Sequence, residues 1–303
     1  MKHSLKITAL LLSMFFITQL IGLAVLTSYA PEVKTLIAEN GSISNITTHN
    51  LPAGFEPPQE TPQQNLTSLV IAFIIAILLM VLLMNLRAEV FLRLWFFAVV
   101  VIALGVTFFA ALRYVDLPFW VPLACALPLA YLKVFKRNIV LHNVTELFIY
   151  PGIAALFVPL LSLWTVALLL IIISVYDMVA VWRTGFMQRM AKYQIKTLRI
   201  FSGFFVPYLG QKARALVTSS KKKDLKKVRV SVAILGGGDV VFPIIVAGVV
   251  MREFSLFPAL LVSLCATLAL ALLFYFSEKG KFYPAMPFIS IGCFVGMGLA
   301  YLV

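Results

Sequence analysis

The chain has 303 residues, of which 62% are hydrophobic and only 12% are charged, and its mean hydropathy is +1.01. A soluble domain is about half apolar and about a quarter charged, so this composition excludes an ordinary soluble protein and indicates a surface that faces lipid. The formal net charge of +13 does not favour a nucleic-acid partner, because the basic residues are distributed as membrane topology requires.

The first apolar stretch covers residues 5–29. It ends at Ser28-Tyr29-Ala30, a pattern similar to a signal-peptide cleavage site, but its apolar core is longer than the roughly 7–15 residues typical of such a leader. We therefore predict that it is retained as a helix. The polar loop 31–65 follows and carries three acceptor patterns for N-glycosylation, at Asn40, Asn45 and Asn65.

Apolar stretches of roughly 20 residues recur along the whole chain with short gaps, which predicts one all-α polytopic membrane domain with nine transmembrane helices. The predicted helices cover residues 5–29, 66–86, 94–112, 119–135, 144–161, 162–182, 230–251, 254–276 and 282–303. The chain is thus divided into helices one to six with the outer loop (1–182), a basic loop (183–229) and helices seven to nine (230–303).

The basic residues test this count, because Lys and Arg collect in cytoplasmic loops when the crossings are correct. With the N-terminus in the cytoplasm, all but three of the 25 Lys and Arg residues lie on the cytoplasmic side; the exceptions are Lys34, Arg113 and Arg252. We therefore predict a cytoplasmic N-terminus and an extracytoplasmic C-terminus. The basic loop 183–229 contains one acid, and we expect it to contact anionic lipid headgroups rather than nucleic acid.

Cysteine and histidine usage argues against metal and redox chemistry. Cys125, Cys265 and Cys293 each lie in an apolar span without CxxC spacing, and the three histidines form no HExxH motif. We expect no disulfide framework and no metal site. The chain also lacks a Walker A phosphate loop, and no cofactor is predicted.

Two acids inside apolar spans are not explained by topology. Asp177 and Asp239 lie in the sixth and seventh predicted helices, where an ionisable group costs roughly 3 kcal/mol or more and is a functional candidate by default. Both fall in the cytoplasmic half of their helices. Glu146 lies near the start of the fifth span, where we expect its side chain to reach water at the cytoplasmic interface, and we assign it no catalytic role.

The chemistry of such a pair follows from the cost of placing two charges together. No Lys or Arg is predicted to lie inside the membrane, where it could neutralise Asp177 and Asp239, so two facing carboxyl groups should share one proton. The ionised group then accepts a proton from a water while the protonated group hydrogen-bonds a peptide carbonyl. This arrangement is suited to peptide hydrolysis.

Three short motifs resemble those of the presenilins and signal peptide peptidases. Tyr176-Asp177 resembles the YD motif, and Gly236-Gly237-Gly238-Asp239 resembles the GxGD motif. Pro284-Ala285-Met286 resembles the Pro-Ala-Leu motif at the start of the last span, with Met in place of Leu at similar volume. The resemblance extends to the nine-span plan and is closest to the compact prokaryotic homologues.

This resemblance implies a GxGD aspartyl protease that cuts transmembrane proteins or peptides within the bilayer of a prokaryotic cell membrane. It implies that Asp177 and Asp239 are the catalytic pair, supported by the residues of the three motifs. A helical substrate must unwind before attack, and addition as a strand to enzyme backbone is one way to hold it. Self-association into a homo-oligomer is compatible with the sequence.

Other interpretations stay open at this point. The three glycines could serve close helix packing, as we expect for Gly292 and Gly296, and Pro284 could be only a helix N-terminal signal. Tyr176 could pack or reach the acid pair. A proton- or ion-coupled transporter would also carry intramembrane acids, and a leak channel or a non-catalytic scaffold is the third class.

Overall fold

The computed structural model describes residues 5–30, 32–37, 43–48, 62–86, 88–113, 115, 117–118, 120–136, 138–183, 193–194, 200, 202–208, 231–278 and 283–303. Within these ranges lie nine α-helices, one at each predicted span. They are α1 (Leu5–Ser28), α2 (Pro62–Asn85), α3 (Glu89–Ala111), α4 (Trp120–Phe135), α5 (Ile139–Phe157), α6 (Leu163–Met178), α7 (Gly237–Glu253), α8 (Leu256–Phe276) and α9 (Met286–Ala300).

Five of these helices are long and apolar enough to cross a membrane: α1, α3, α8, α5 with the 3₁₀ turn that extends it to Leu160, and α6 with the π turn that extends it to Arg183. The apolar parts of α2, α4 and α9 are shorter. The described chain is therefore mostly helical, whereas nine membrane crossings and the direction of the termini stay predictions.

The outer surface of the helices is apolar. Large side chains such as Leu78 on α2, Trp164 and Ile171 on α6, and Leu268 and Leu272 on α8 are exposed. A soluble monomer rarely exposes an apolar patch of this extent to water. In contact with lipid, exposure of the same apolar surface carries no such free-energy cost. The chain is an integral membrane protein.

Helix α7 lies at the centre of the bundle, where it packs against α1, α5, α6, α8 and α9. Most of its residues are buried, and apart from Asp239 and its last turn they are valines, isoleucines, glycines and other apolar types. A helix that is apolar on every side is expected to be surrounded by other helices. Asp239 is thereby held inside the protein.

The predicted close packing of the last helix through its glycines is confirmed. A Cβ atom on Gly292 would lie 2.6 Å from the carbonyl oxygen of Cys265, and one on Gly296 would lie 2.5 Å from the Cα of Val262. Helices α8 and α9 therefore approach each other more closely than any larger residue at these positions would allow.

Four strands correct the all-α prediction. In the segment expected to be a loop, β1 (Glu32–Ile37) pairs with β2 (Ile43–Thr48). β3 (Gly203–Tyr208), inside the basic segment, pairs with β4 (Ser231–Gly236), which follows that segment. Both pairs are antiparallel. The basic loop predicted for 183–229 thus contains β3 among its described residues.

The seventh predicted helix began too early. We expected a helix from residue 230, but residues 231–236 form β4, and α7 starts at Gly237. Burial along β4 alternates, with Val232 and Ile234 exposed and Ala233 and Leu235 buried, as in a strand with one covered face. A short apolar run cannot be assigned to helix or strand by hydropathy alone, which explains the error.

The expected position of Glu146 at a wet interface is wrong. Its side chain is fully buried, at 0% exposure, and Oε1 lies 2.5 Å from Nζ of Lys133, which is 8% exposed. Lys133 lies in the last turn of α4, inside the fourth predicted helix 119–135. Each charge makes burial of the other tolerable, because a lone buried charge would be far more costly than a hydrogen-bonded pair.

Candidate active site

Asp177 lies in the last turn of α6 with 4% of its surface exposed. The backbone N–H of Met286, at the start of α9, donates a hydrogen bond to Oδ2 of Asp177 at 3.1 Å. The first N–H groups of a helix have no partner inside the helix, so a carboxylate is a natural acceptor for them. The Pro-Ala-Met segment therefore contacts Asp177 through its backbone.

Asp239 lies in the first turn of α7 with 9% of its surface exposed. The strand β4 ends at Gly236, the residue that precedes α7, so strand and helix join directly three residues before Asp239. A Cβ atom on Gly236 would lie only 3.1 Å from Oδ2 of Asp239. The carboxyl group thus folds back over the strand-to-helix junction, near the positive end of the helix dipole.

The two acids lie on helices that contact each other. Helices α6, α7 and α9 pack against one another, and Asp177 and Asp239 are both buried, one at the end of α6 and the other at the start of α7. A hydrogen bond of 2.8 Å between Oγ of Ser174 and Oγ of Ser290 fastens α6 to α9 one turn away from Asp177. Among the described residues, neither acid forms an ion pair with Lys or Arg.

The three glycines before Asp239 have different surroundings. A Cβ atom on Gly237 would lie 2.5 Å from Oγ of Ser202 and 2.8 Å from the hydroxyl of Tyr150, so a larger residue there would force these side chains to move. A Cβ atom on Gly238 would meet only the ring of Phe242, at 3.8 Å. The backbone changes from strand to helix at this junction, and the crowded position is the middle glycine.

The remaining motif residues surround the same junction of helices. The ring of Tyr176 is half-buried and packs edge-on against Phe73 of α2, with ring centroids 5.6 Å apart. Pro284 is buried and Ala285 is the N-cap of α9. Both interpretations of the proline segment therefore apply, since it starts a helix and also places a backbone donor against Asp177.

Sequence reasoning missed a set of polar residues on α5. His142, Asn143, Glu146 and Tyr150 all contact the segment 202–208 or lie against the start of α7. A signal was present, because His142, Glu146 and Tyr150 recur every four residues and so share one face of a helix in an otherwise apolar span.

A second missed residue is Gln19 of α1. Its side chain is fully buried, and Nε2 donates a hydrogen bond to the carbonyl oxygen of Val240 at 3.0 Å. Val240 directly follows Asp239, so α1 contacts the backbone of the acid-bearing turn. A lone glutamine in a long apolar span was the available signal.

Metal ligation is not apparent in the described ranges, where no group of three or more His, Cys, Asp or Glu side chains is close enough to hold an ion. Cys125, Cys265 and Cys293 are free thiols. The described arrangement offers two carboxyl groups and a set of backbone donors, which are the groups that acid and base chemistry on a peptide bond requires. The absence of a cofactor stays a prediction.

Known proteins resemble this chain over nearly its whole length. The family model described as "Signal-peptide peptidase, presenilin aspartyl protease" matches residues 44–303. A solved structure of a presenilin family intramembrane aspartate protease in space group C222 has 17% sequence identity and a TM-score of 0.62, over 97% of this chain and 98% of its own. A second structure so described, in space group P2, has 19% identity and a TM-score of 0.58, over 96% of each chain. No curated protein matches the chain.

Proposed function

The chain belongs to the signal-peptide peptidase and presenilin aspartyl protease family and is an intramembrane aspartyl protease, and we propose that Asp177 and Asp239 form its catalytic dyad. The observation that carries this proposal is the burial of both carboxyl groups on two helices, α6 and α7, that pack against each other, with no cation paired to either among the described residues. Buried like charges cannot both ionise cheaply, so the dyad holds one shared proton.

The proposed reaction hydrolyses a peptide bond of a transmembrane substrate. The ionised carboxylate accepts a proton from a water as the water oxygen bonds to the carbonyl carbon, and the protonated carboxyl donates a hydrogen bond to the carbonyl oxygen. The protonated carboxyl passes its proton to that oxygen, which gives a tetrahedral diol. On collapse the carbon–nitrogen bond breaks, the leaving nitrogen takes the proton that came from the water, and a diol hydroxyl returns its proton to the other carboxylate. The dyad acts as one titrating unit, so the two roles belong to the pair.

The supporting residues act on the two acids through backbone and packing. The Met286 N–H stabilises a negative charge on Asp177, and Pro284 and Ala285 set the start of α9 that directs this donor. Gly236 and Gly237 allow β4 to turn into α7 close to Asp239. Gly238 leaves space beside the acid, and Tyr176 holds α6 against α2.

We infer that an unwound substrate segment adds as a strand to β4. An extended segment gains backbone hydrogen bonds from a sheet edge, and its alternate side chains give specificity. β4 runs directly into Gly237 and Asp239, so a strand paired with it reaches the acid. Val232 and Ile234, at 44% and 43% exposure, offer apolar surface to such a partner.

The membrane arrangement is also proposed. Nine helices cross the bilayer of a prokaryotic cell with the N-terminus in the cytoplasm and the C-terminus outside, and the basic segment 183–229 lies against anionic headgroups.

Apart from substrate and lipid, no partner is needed for the chemistry, and nucleic acid is not a partner. A homo-oligomer stays compatible with the sequence.

The decisive experiment uses purified protein in lipid with a transmembrane peptide substrate. We expect cleavage by the wild type and its loss in Asp177→Ala and in Asp239→Ala, with block by a peptidomimetic transition-state analogue. Glu89→Gln, which removes a carboxylate in the first turn of α3, is the matched control and should cleave normally. Ion flux into liposomes that disappears in the two Asp variants, with no proteolysis by any protein, would instead indicate a transporter.

A further inference from the structure

The outer edge of β3 is occupied by a side chain of α5. Nδ2 of Asn143 donates to the carbonyl oxygen of Phe205 at 2.7 Å, and the Phe205 N–H donates to Oδ1 of Asn143 at 2.9 Å. The amide group of Asn143 thus makes the same two hydrogen bonds that a neighbouring strand would make with Phe205.

The next outward-facing residue along β3, Gly203, is held in the same way. Nε2 of His142 lies 2.8 Å from the Gly203 carbonyl oxygen, and the Gly203 N–H donates to Oε1 of Glu146 at 3.4 Å. Gly203 has a φ of 152°, which residues with side chains rarely adopt. Glycine is therefore suited to the backbone conformation in which these two contacts form.

The proton on His142 can be assigned from its neighbours. Nε2 faces two acceptors, the Gly203 carbonyl oxygen and Oε1 of Glu146 at 3.5 Å, so Nε2 carries the hydrogen. Nδ1 lies 3.5 Å from Nζ of Lys133, which can donate to it. Lys133 therefore supports both of the side chains that hold Gly203, and the buried ion pair is part of the contact with β3.

In an antiparallel strand pair, the backbone N–H and carbonyl groups of successive residues point alternately toward the partner strand and away from it. The residues whose backbone groups point away from β4 can therefore be identified along the whole of β3. Gly203, Phe205 and Pro207 lie on one edge of β3, and Pro207 has no N–H to offer. Gly203 and Phe205 pair in register with Gly236 and Ile234 of β4. Since the Phe205 N–H and carbonyl point to α5, those of Ile234 point to the opposite edge. β3 is closed to an added strand, and in the described chain β4 packs mainly against β3 and α7.

The contacts between α5 and the β3 segment extend to the residues at the start of α7. The Gly237 N–H donates to the carbonyl oxygen of Ser202 at 3.3 Å, and the hydroxyl of Tyr150 lies 3.5 Å from Oγ of Ser202. The ring of Tyr150 packs edge-on against Phe204, with centroids 5.7 Å apart. One face of α5 therefore holds β3 from Ser202 to Phe205, and holds it next to the turn that carries Asp239.

We propose that His142, Asn143 and Glu146, here called the α5 clamp, are positioning residues for proteolysis. The clamp closes the edge of β3, which leaves β4 as the edge that a substrate strand meets, and it fixes the β3–β4 pair relative to the acid pair. The inference rests on the proposed function but concerns residues that touch neither the substrate nor the two acids. If the same contacts served stability alone, loosening them would not change which bonds are cut.

The first test uses the wild type without any substrate. Hydrogen–deuterium exchange resolved to single amides compares Phe205 with its cross-strand partner Ile234. We expect the Phe205 amide to exchange at least about tenfold more slowly than the Ile234 amide, because only the former is hydrogen-bonded to α5. Equal exchange of the two amides would overturn the proposal independently of any cleavage measurement.

The second test compares Asn143→Ala and Asn143→Asp with Thr18→Val. Ala removes both hydrogen bonds to Phe205, Asp keeps only the acceptor, and Thr18→Val removes a buried hydrogen bond that stays inside α1. In Asn143→Ala we expect kcat to fall about tenfold with little change in KM, and cuts to appear at additional neighbouring bonds. Asn143→Asp keeps the acceptor for the Phe205 N–H but sets a carboxylate oxygen against the Phe205 carbonyl oxygen, so it should loosen the contact and lose activity as Ala does. Thr18→Val should match the wild type.

The variants also separate this proposal from the proposed function. Loss of Phe205 protection in Asn143→Ala, with the wild-type cut positions and kcat retained, would show that the clamp does not position the site. Should the Ala variant fail to fold, Asn143→Asp is measured alone, and wild-type kcat and cut positions there together with a faster Phe205 amide would overturn the inference. A wild type that cleaves no substrate would refute the proposed function, while the exchange measurement would still test the clamp.

Discussion

The backbone N–H of Met286 donates to Oδ2 of Asp177 at 3.1 Å, so the start of α9 is joined to the last turn of α6 by the acid itself. The contact uses a main-chain donor, whereas the Met286 side chain is buried in the core. The role of this motif position is thereby divided between a backbone donor, which any non-proline residue supplies, and a side chain that fills space.

This division predicts that Met286→Leu keeps full activity. Leu has a similar volume and leaves the N–H in place, so the change in the free energy of unfolding should stay below about 1.5 kcal/mol. Met286→Ala should lower that free energy by about 2–5 kcal/mol, because it creates a cavity. Thermal unfolding and peptide cleavage check both variants. Complete inactivity of a stable Met286→Leu protein would contradict the assignment.

Replacing Gly237 or Gly238 of the GxGD-like segment by alanine should change the stability of the protein in opposite directions. A Cβ atom on Gly237 collides with Ser202 and Tyr150, so we expect Gly237→Ala to lose about 1–3 kcal/mol of stability. Gly238→Ala has room and removes backbone entropy from the unfolded chain, so its stability should be equal or up to about 1 kcal/mol higher.

The cleavage activity of Gly238→Ala then shows whether the substrate occupies the space beside Gly238. If a substrate backbone approaches there, Gly238→Ala should fold as the wild type does and cleave poorly. Thermal unfolding of both Gly variants, measured beside cleavage, separates the two effects. Equal destabilisation by the two substitutions would contradict the crowding described for Gly237.

The helices and the two acids buried among them could be predicted from the sequence because both signals are strong locally. Each apolar stretch reports its helix independently of the rest of the chain, and an acid such as Asp177 stands out in a span of leucine, isoleucine and valine. The predicted helix positions agree with α1 to α9 to within a few residues, except where β4 replaces the start of the seventh helix.

The strand pair and the ion pair could not be predicted because each depends on a distant partner. β4 is a strand because β3 lies beside it, and the two strands are separated by 22 residues of a basic segment. Lys133 and Glu146 lie near the ends of neighbouring helices, where charge normally faces water, and only the packing of α4 against α5 shows that they meet. Long-range contacts of this kind leave no periodic signal in the sequence.

Gln19 is expected to contribute little to stability despite its burial. Its amide donates to the Val240 carbonyl, but Oε1 has no hydrogen-bond partner among the described residues. Gln19→Met removes one favourable bond and one unsatisfied acceptor together, so the free energy of unfolding should change by less than about 1 kcal/mol. Thermal unfolding checks this value. A loss of several kcal/mol would indicate that Oε1 has an undetected partner.

The buried ion pair of Lys133 and Glu146 gives the sharpest prediction about stability. Lys133→Met or Glu146→Gln alone leaves one charge buried without its partner, and each should lower the free energy of unfolding by about 3–5 kcal/mol. The double variant removes both charges at similar volume. It should recover most of the loss, since desolvation of the two charges offsets their attraction in the wild type.

A double-mutant cycle on thermal or denaturant unfolding measures this coupling between Lys133 and Glu146. Arg252 and Glu253 form a more exposed ion pair at the other end of the bundle, and the same cycle there serves as the control. That pair should couple by less than about 1 kcal/mol, because water screens its charges. Additive losses at Lys133 and Glu146 would contradict the pairing, whereas recovery of stability without recovery of cleavage would show that the charge at Glu146 also acts on Gly203 of β3.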